Sequence, residues 1–161
     1  LKKIGEKGVL AVSDRSSMNS NILRLSNVFG APLYKSVNCW MLLVNDLCKQ
    51  AVSKGELVLD STGDQFRDFV TITDLCCVIN EMIKRNRAGQ ESEVVNVGSG
   101  KSCTVYEMAQ KVQSCFSKYR NEFCPILAVD KKNNRKIKAF EYQTNFLRKN
   151  NYSIFILPHF F

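Results

Sequence analysis

The segment 63–74, GDQFRDFVTITD, constrains the fold of this chain most. It sets a charged pair, Arg67 and Asp68, directly against β-branched and aromatic residues that predict a strand over residues 67–72. Thr73 or Asp74 can then cap a helix over residues 75–87, because short polar side chains accept hydrogen bonds from the first free N–H groups of a helix. Few structural needs explain an arginine here, so Arg67 is a candidate ligand-binding residue.

Strands and helices alternate along the rest of the chain as well. Apolar residues with few polar breaks predict a buried strand over 22–29, and apolar positions at three-four spacing predict a helix over 37–53 that turns Asn45 outward and ends at Gly55. The remaining predicted elements are strands over 57–59, 93–97 and 125–129, a helix capped by Thr104 and Glu107 that runs to residue 116, and a short helix over 140–149. This alternation predicts an α/β fold with parallel strand pairing.

Size and composition indicate one folded domain. The chain has 161 residues, 45% of them hydrophobic and 24% charged, and chains of this length bury roughly 70% of their extended surface on folding. No signal peptide opens the sequence and no apolar run approaches the ~20 residues needed to span a bilayer, so we expect a soluble protein without a membrane partner. The apolar tail over 154–161 packs, pairs with a partner or marks an unnatural chain end, and the sequence leaves these alternatives open.

The net charge of +8 suits an anionic partner, either a nucleotide diphosphate or a nucleic acid. The excess is concentrated at residues 1–3 and 131–138, and the second run lacks the interleaved aromatic residues of a single-strand binding surface. We interpret that run as a solvated loop and expect no nucleic-acid partner. Salt-dependent binding to unrelated oligonucleotides would reveal the alternative.

The cysteines predict reduced thiols in a cytoplasmic protein. All seven, at positions 39, 48, 76, 77, 103, 115 and 124, lack Cys-x-x-Cys spacing, and the single histidine is His159. Neither a zinc site nor a Ser-His-Asp or Cys-His arrangement is therefore predicted. Cys76, Cys77 and Cys115 fall within apolar helical patterns, where cysteine behaves as a small hydrophobic residue.

Three motifs in order carry a family resemblance: residues 23–30 (LRLSNVFG), 63–70 (GDQFRDFV) and 95–100 (VNVGSG). Together they resemble the C-terminal half of the NAD-dependent epimerase/dehydratase family, extended short-chain dehydrogenases that remodel nucleotide sugars. The resemblance implies the C-terminal part of a Rossmann-like parallel sheet with a small substrate-binding α/β lobe, in a single incomplete domain. Residues 1–30 would complete the nucleotide-binding sheet, 31–92 would mainly form the lobe, 93–118 a return strand and helix, and 119–161 further lobe elements and a basic tail.

The resemblance assigns Arg67 and Asn27 to the substrate. The family places the arginine of an Arg-Asp-Phe/Tyr motif on the nucleotide diphosphate, which a guanidinium can bind through two parallel hydrogen bonds. From the residues alone, a surface ion pair with Asp64 or Asp68 is an equal alternative, and Asp68 is otherwise expected to orient the loop. The family's Asn-Val-Tyr/Phe-Gly motif uses its asparagine on a phosphate or sugar oxygen, and a turn that satisfies its own backbone is the alternative for Asn27.

Four further residues enter the predicted site through the same resemblance. Ser26 and Val28 flank Asn27 where the family's chain passes between cofactor and substrate, so the resemblance allows their backbone groups to contact either one, and we assign them to the cofactor. Asn38 would lie at the start of a helix over the sugar or base, with helix capping as the alternative. Arg135 matches a late diphosphate-binding arginine of the family, although the surrounding lysines depart from the family's usual context.

The catalytic parts of the family have no counterpart in the sequence. None of the five tyrosines is followed by lysine in a Tyr-x-x-x-Lys pair, and no Gly-x-Gly-x-x-Gly loop occurs. We therefore assign no catalytic residue and no metal, and we expect NAD(P) to be bound by the complete enzyme rather than by this chain alone. Our hypothesis is that the chain is the substrate-binding portion of a nucleotide-sugar epimerase, dehydratase or reductase and is inactive in isolation. A homodimer or the missing N-terminal half would cover its sheet edge, and a non-catalytic docking module is the alternative.

Overall fold

The computed structural model describes residues 2–16, 18–87, 93–129, 139 and 141–144. Helices and strands alternate over these residues, which confirms the predicted α/β class. Their order is α1 (Lys2–Arg15), β1 (Asn21–Leu25), β2 (Asn27–Phe29), α2 (Leu43–Lys54), β3 (Leu57–Leu59), β4 (Phe66–Thr71), α3 (Ile72–Arg87), β5 (Glu93–Val97), β6 (Ser102–Thr104), α4 (Val105–Arg120) and β7 (Ile126–Ala128). Within the same residues, no helix is both long and apolar enough to cross a membrane.

The strands pair mainly in parallel, as predicted. β1 pairs with β5 so that Asn21 lies opposite Glu93 and Leu25 opposite Val97. β2 is parallel to β4, and β3 is parallel to β7. The short strand β6, which the sequence pattern did not predict, is antiparallel to β4 and gives the second sheet the order β2-β4-β6. Parallel partners need crossover connections, and the intervening helices supply them.

Two apolar clusters hold these layers together. The larger lies between α2, α4 and strands β2, β3 and β4, and its buried members are Phe29, Val44, Leu47, Ala51, Leu57, Leu59, Phe69, Val105, Met108, Ala109, Val112, Phe116 and Cys124. The smaller lies between α3 and the β1–β5 pair, and its buried members are Leu75, Val78, Met82, Val95 and Val97. The chain therefore changes sheet at Ser26, between β1 and β2, while Leu23 of β1 and Val28 of β2 both pack against the smaller cluster.

Several local predictions are confirmed. Thr104 Oγ1 accepts a hydrogen bond from Glu107 N at 3.0 Å while Thr104 N donates to Glu107 Oε2 at 2.7 Å, which is the predicted capping box of α4. Gly55 ends α2 in the left-handed region, with φ at 71°, and its N–H donates to Ala51 O. Strands 57–59 and 93–97 have their predicted bounds, β7 lies within 125–129, and α4 runs past residue 116 to Arg120.

Other local predictions are wrong. Residues 22–29 form two half-buried strands rather than one buried strand, because the chain bends at Ser26. Helix α2 begins at Leu43 rather than at residue 37. Helix α3 begins at Ile72 rather than at residue 75, so neither Thr73 nor Asp74 precedes it as a cap. Thr71 takes that role: its Oγ1 accepts a hydrogen bond from Asp74 N at 3.0 Å and donates one to Asp74 Oδ2 at 2.7 Å. Most of the predicted helix over 140–149 lies outside the described residues, and residues 141–144 have no helical structure.

Candidate functional site

Asn27 and Arg67 are brought together by the register between β2 and β4. Asn27 lies opposite Phe69, and Arg67 precedes Phe69 by two residues, so all three side chains project from one face of the sheet. The Asn27 Nδ2 donates to the carbonyl oxygen of Asp68 at 2.8 Å. This bond joins two strands, so Asn27 does not make the local turn that was its alternative role.

A cleft of about 830 Å³ lies beside this face and is lined by both residues. Its volume falls within the roughly 300–1,000 Å³ typical of small-molecule sites. Strands β2 and β4 form one wall, and α2 and the segment after β3 form much of the other. Residues that line it with polar or charged groups are Lys2, Ser26, Asn27, Asp46, Gln50, Lys54, Asp60, Ser61, Gln65 and Arg67.

The charged groups of the cleft are more basic than acidic. Arg67 is exposed, and within the described part of the chain it forms no ion pair with Asp64 or Asp68, so the ion-pair alternative is not supported. Lys2 at the start of α1 and Lys54 at the end of α2 line the same cleft, against two carboxylates. Sequence reasoning missed both lysines, because no local motif indicates which surface lysines converge on one cleft.

The other predicted site residues divide into three groups. Ser26 lines the cleft, and its hydroxyl is buried without a hydrogen-bond partner among the described residues. Val28 also lines the cleft but packs its side chain against the α3 cluster. Asn38 does not line it: its Oδ1 accepts from Trp40 N at 3.4 Å, and α2 begins after Leu42 without a side-chain cap, so the capping alternative is wrong. Arg135 lies outside the described residues.

Asp68 is buried on the opposite face of β4, with 1% of its surface exposed. Ser99 N donates to its Oδ1 at 2.8 Å, and Ser99 Oγ donates to its Oδ2 at 2.9 Å. The hydroxyl of Ser99 also contacts the backbone of Lys101, accepting from N at 3.1 Å and lying 2.9 Å from O. Asp68 thus ties β4 to the turn after β5, in line with its expected orienting role.

A second cleft of about 490 Å³ lies between α2 and α4 and contains none of the predicted site residues. Phe29, Trp40, Phe116 and Tyr119 are among its almost entirely apolar walls. Such a surface offers few donors for phosphate oxygens. The first cleft is therefore the candidate site for a nucleotide.

Neither a metal site nor a complete dinucleotide site is formed by the described residues. No group of three His, Cys, Asp or Glu side chains that could hold a metal ion occurs among them. The buried Ser26 hydroxyl fits one contact with a bound cofactor, because a buried polar atom without a partner calls for one. The sequence nevertheless offers no Gly-x-Gly-x-x-Gly loop to hold a pyrophosphate, so these residues do not fit the whole of NAD.

Comparison with protein families matches residues 1–98 to the NAD-dependent epimerase/dehydratase family. Comparison with curated protein sequences gave no match. The sequence motifs of residues 23–30 and 63–70 fall within the matched part.

Solved structures of similar fold include nucleotide-sugar epimerases and dehydratases. The UDP-glucose 4-epimerase of Thermus thermophilus, in complex with NAD, is 15% identical, with a TM-score of 0.67 over 94% of this chain and 46% of that one. The UDP-N-acetylglucosamine 4-epimerase of Methanobrevibacter ruminantium M1, in complex with UDP-N-acetylmuramic acid, is 18% identical, with a TM-score of 0.64 over 89% and 43%. The dTDP-glucose 4,6-dehydratase of Bacillus anthracis strain Ames, in complex with NAD, is 18% identical, with a TM-score of 0.61 over 89% and 42%. The chain thus has the predicted Rossmann-like fold and spans less than half the length of these structures.

Proposed function

Because the chain belongs to the NAD-dependent epimerase/dehydratase family, we propose that it is the substrate-binding portion of an NAD(P)-dependent enzyme acting on a nucleoside-diphosphate sugar. The reaction is an epimerisation, dehydration or reduction of the sugar. The observation that carries this proposal is the convergence on one cleft of Asn27 and of Arg67, which forms no ion pair with the residues that the structure describes. A free guanidinium binds a diphosphate through paired charge-assisted hydrogen bonds.

The proposal also assigns a role to each segment of the chain. Residues 1–30 complete the nucleotide-binding sheet, 31–92 mainly form the substrate lobe, 93–118 return to the sheet, and 119–161 add further lobe elements. Asn27 and Arg67 are assigned to the substrate and Ser26 and Val28 to the cofactor. Asn38, which does not line the cleft, and Arg135, which lies outside the described residues, are assigned to the substrate by the family resemblance alone. The seven free cysteines support a cytoplasmic setting.

Binding of UDP and UDP-glucose, measured by titration calorimetry, tests the substrate assignment. Arg67→Ala removes the proposed diphosphate contact and is expected to weaken binding roughly 10- to 100-fold, the loss of one or two charge-assisted hydrogen bonds. Arg120→Ala is the matched control, since Arg120 is exposed at the end of α4 and lines neither cleft. Equal affinity in the Arg67→Ala and Arg120→Ala proteins would exclude the diphosphate role.

Catalysis is assigned to parts of the family's structure outside this chain. The proposal therefore expects the 161-residue polypeptide to bind UDP-sugars weakly and to turn over neither sugar nor NAD(H). Incubation with UDP-glucose and NAD, followed by chromatography of the sugar and absorbance of NADH, measures this directly. Robust conversion would contradict the assignment.

A docking module is the second candidate, and exposed apolar side chains on α1 favour it. Ile4, Val9 and Val12 are 71%, 45% and 56% exposed. Helix faces of this kind, next to a two-stranded sheet, favour pairing with the N-terminal half of such a fold or with a second copy. If the chain is a docking module that binds no substrate, the Arg67→Ala protein should bind its partner as tightly as the parent chain does. The substitution should also leave the affinity for UDP unchanged.

A further inference from the structure

We propose that Asp68 is a positioning residue that holds Arg67 and Asn27 in the geometry needed for diphosphate binding. The proposal rests on the proposed function, because it concerns the same cleft. Asp68 is not itself among the residues that line that cleft. Its side chain projects from the face of β4 opposite to Arg67, as alternate residues of a strand do. Asp68 therefore makes no direct contact with a nucleotide in that cleft, and the positioning that we propose acts through its neighbours.

Both proposed ligand contacts meet at the main chain of Asp68. Arg67 is its covalent neighbour, and Asn27 Nδ2 donates to its carbonyl oxygen at 2.8 Å. In the antiparallel pair with β6, Asp68 lies opposite Ser102 and Arg67 opposite Cys103. A displacement of Asp68 would thus move two groups together: the backbone from which the Arg67 side chain extends, and the carbonyl oxygen that accepts the hydrogen bond from Asn27 Nδ2.

The carboxylate of Asp68 is enclosed on several sides. Ser99 supplies its two hydrogen bonds, and the contacts of Ser99 Oγ with the backbone of Lys101 hold that hydroxyl in place. A Cβ added at Gly98 would lie 2.6 Å from Asp68 Oδ1 and 2.6 Å from Cδ1 of Tyr142, so there is no room for the carboxylate to shift that way. Tyr142 is itself held, because its hydroxyl donates to Arg24 O at 2.9 Å.

Such anchoring suits the task of Arg67. A guanidinium binds a diphosphate well only when its planar fork faces the phosphate oxygens, and small misplacements of a binding group lower affinity steeply. Removal of the Asp68 side chain leaves Ser99 N–H without its acceptor and releases β4 from the turn after β5. Asparagine at position 68 preserves the attachment: its Oδ1 accepts from Ser99 N, its Nδ2 donates to Ser99 Oγ, and that hydroxyl donates to Lys101 O.

A double-mutant cycle on the full chain, read as the dissociation constant of UDP, tests this role. Asp68→Ala is expected to weaken UDP binding about tenfold or more, while Asp68→Asn stays within about threefold of the parent protein. In the Arg67→Ala background, Asp68→Ala is expected to weaken binding further by less than about twofold, because the group that it positions is gone. Val78→Ala, which truncates a buried residue of α3 in the other core cluster, controls for stability loss and should leave the dissociation constant unchanged.

Each outcome separates the two claims. If Arg67→Ala weakens binding and Asp68→Ala weakens it by the same factor with and without Arg67, the positioning role is overturned and the proposed function stands. If Arg67→Ala has no effect on UDP binding, the proposed function fails and the positioning role fails with it. Should Asp68→Ala not fold, as judged by circular dichroism, Ser99→Ala takes its place in the cycle. It removes one of the two hydrogen bonds to the carboxylate, and a loss of affinity independent of Arg67 would again overturn the role.

Discussion

Asn45 on α2 provides a quantitative test of how one wall of the cleft beside Asn27 and Arg67 is held in place. Its amide is 7% exposed and forms two hydrogen bonds with the backbone of Gly30: Gly30 N donates to Oδ1 at 3.1 Å, and Nδ2 donates to Gly30 O at 2.9 Å. The side chain thus pairs with the end of β2 as a neighbouring strand would. It fixes α2 against the strand that carries Asn27.

Replacement of Asn45 by alanine removes both bonds and leaves two backbone groups without partners. Each net hydrogen bond contributes about 1 kcal/mol, and each half-buried group left unpaired adds a penalty, so we expect a loss of about 2–4 kcal/mol in the free energy of unfolding. Urea unfolding followed by circular dichroism measures it. Asn80→Ala is the matched control, since Asn80 is exposed in the middle of α3, and its change should stay within about 0.5 kcal/mol.

Asn45→Asp adds a pH signature to this test. The ionised carboxylate that this substitution introduces still accepts from Gly30 N but repels Gly30 O, so the folded state raises the pKa of the new carboxyl above its unfolded value. The protonated acid can donate to Gly30 O. The hydrogen bond from the protonated carboxyl therefore stabilises the fold below the pKa that this carboxyl has in the unfolded chain. This contribution is lost as the pH rises through its pKa in the folded protein. Two results would refute the role of this amide. One is an Asn45→Asp protein whose loss in free energy of unfolding, relative to the parent protein, does not decrease at lower pH. The other is an Asn45→Ala protein as stable as the Asn80→Ala control.

Four further predictions concern stability. Gly30→Ala should lower the free energy of unfolding by about 1–3 kcal/mol, because φ at Gly30 is 146° and a Cβ would lie 2.5 Å from Cγ2 of Ile72. Gly5→Ala, where a Cβ in α1 would meet nothing within 4 Å, should instead raise it by about 0.5–1 kcal/mol. Thr104→Ala should cost about 1 kcal/mol in urea unfolding through loss of the α4 cap. Burial raises the pKa of the Cys103 and Cys124 thiols above the ordinary 9.0, so thermal stability should fall as the pH rises above 9, and less steeply when both are alanine.

Local chemistry explains which elements could be predicted from the sequence. The capping box at Thr104 and Glu107 and the glycine end of α2 depend on residues within four positions of each other, and both are present. Asn45 illustrates the opposite case. Val44, Leu47 and Ala51 are buried as the apolar pattern predicts, whereas Trp40 and Cys48 of the same pattern are exposed. The pattern places Asn45 in solvent, because its partner Gly30 lies 15 residues away. Helical spacing alone cannot distinguish a solvated amide from one that binds a distant backbone.

The bend at Ser26 shows the same limit in a strand. Residues 22–29 look like one strand because their sequence is apolar with few polar breaks. The change of sheet depends on the distant strands with which each part pairs, β5 for β1 and β4 for β2. Only part of the candidate site could be predicted from the sequence, because the other part depends on contacts between distant segments. Family motifs indicated Asn27 and Arg67, whereas Lys2 and Lys54 join them only through tertiary packing.

Arg67, Asp68 and Phe69 are consecutive residues of β4, so their side chains project alternately from its two faces. Arg67 projects to the cleft, Asp68 into the turn at Ser99, and Phe69 back to the first face and the larger core cluster. Exchange of the first two, Arg67→Asp with Asp68→Arg, conserves composition and net charge. It would place a guanidinium at a site that is 1% exposed and closed by Gly98, and a carboxylate beside the phosphates of UDP. We expect this exchange to abolish UDP binding and to destabilise the chain in urea by several kcal/mol, because a charge is buried without its partner. If the exchanged protein instead kept the stability and UDP affinity of Arg67→Ala, the two faces of β4 would not have the separate roles assigned to them.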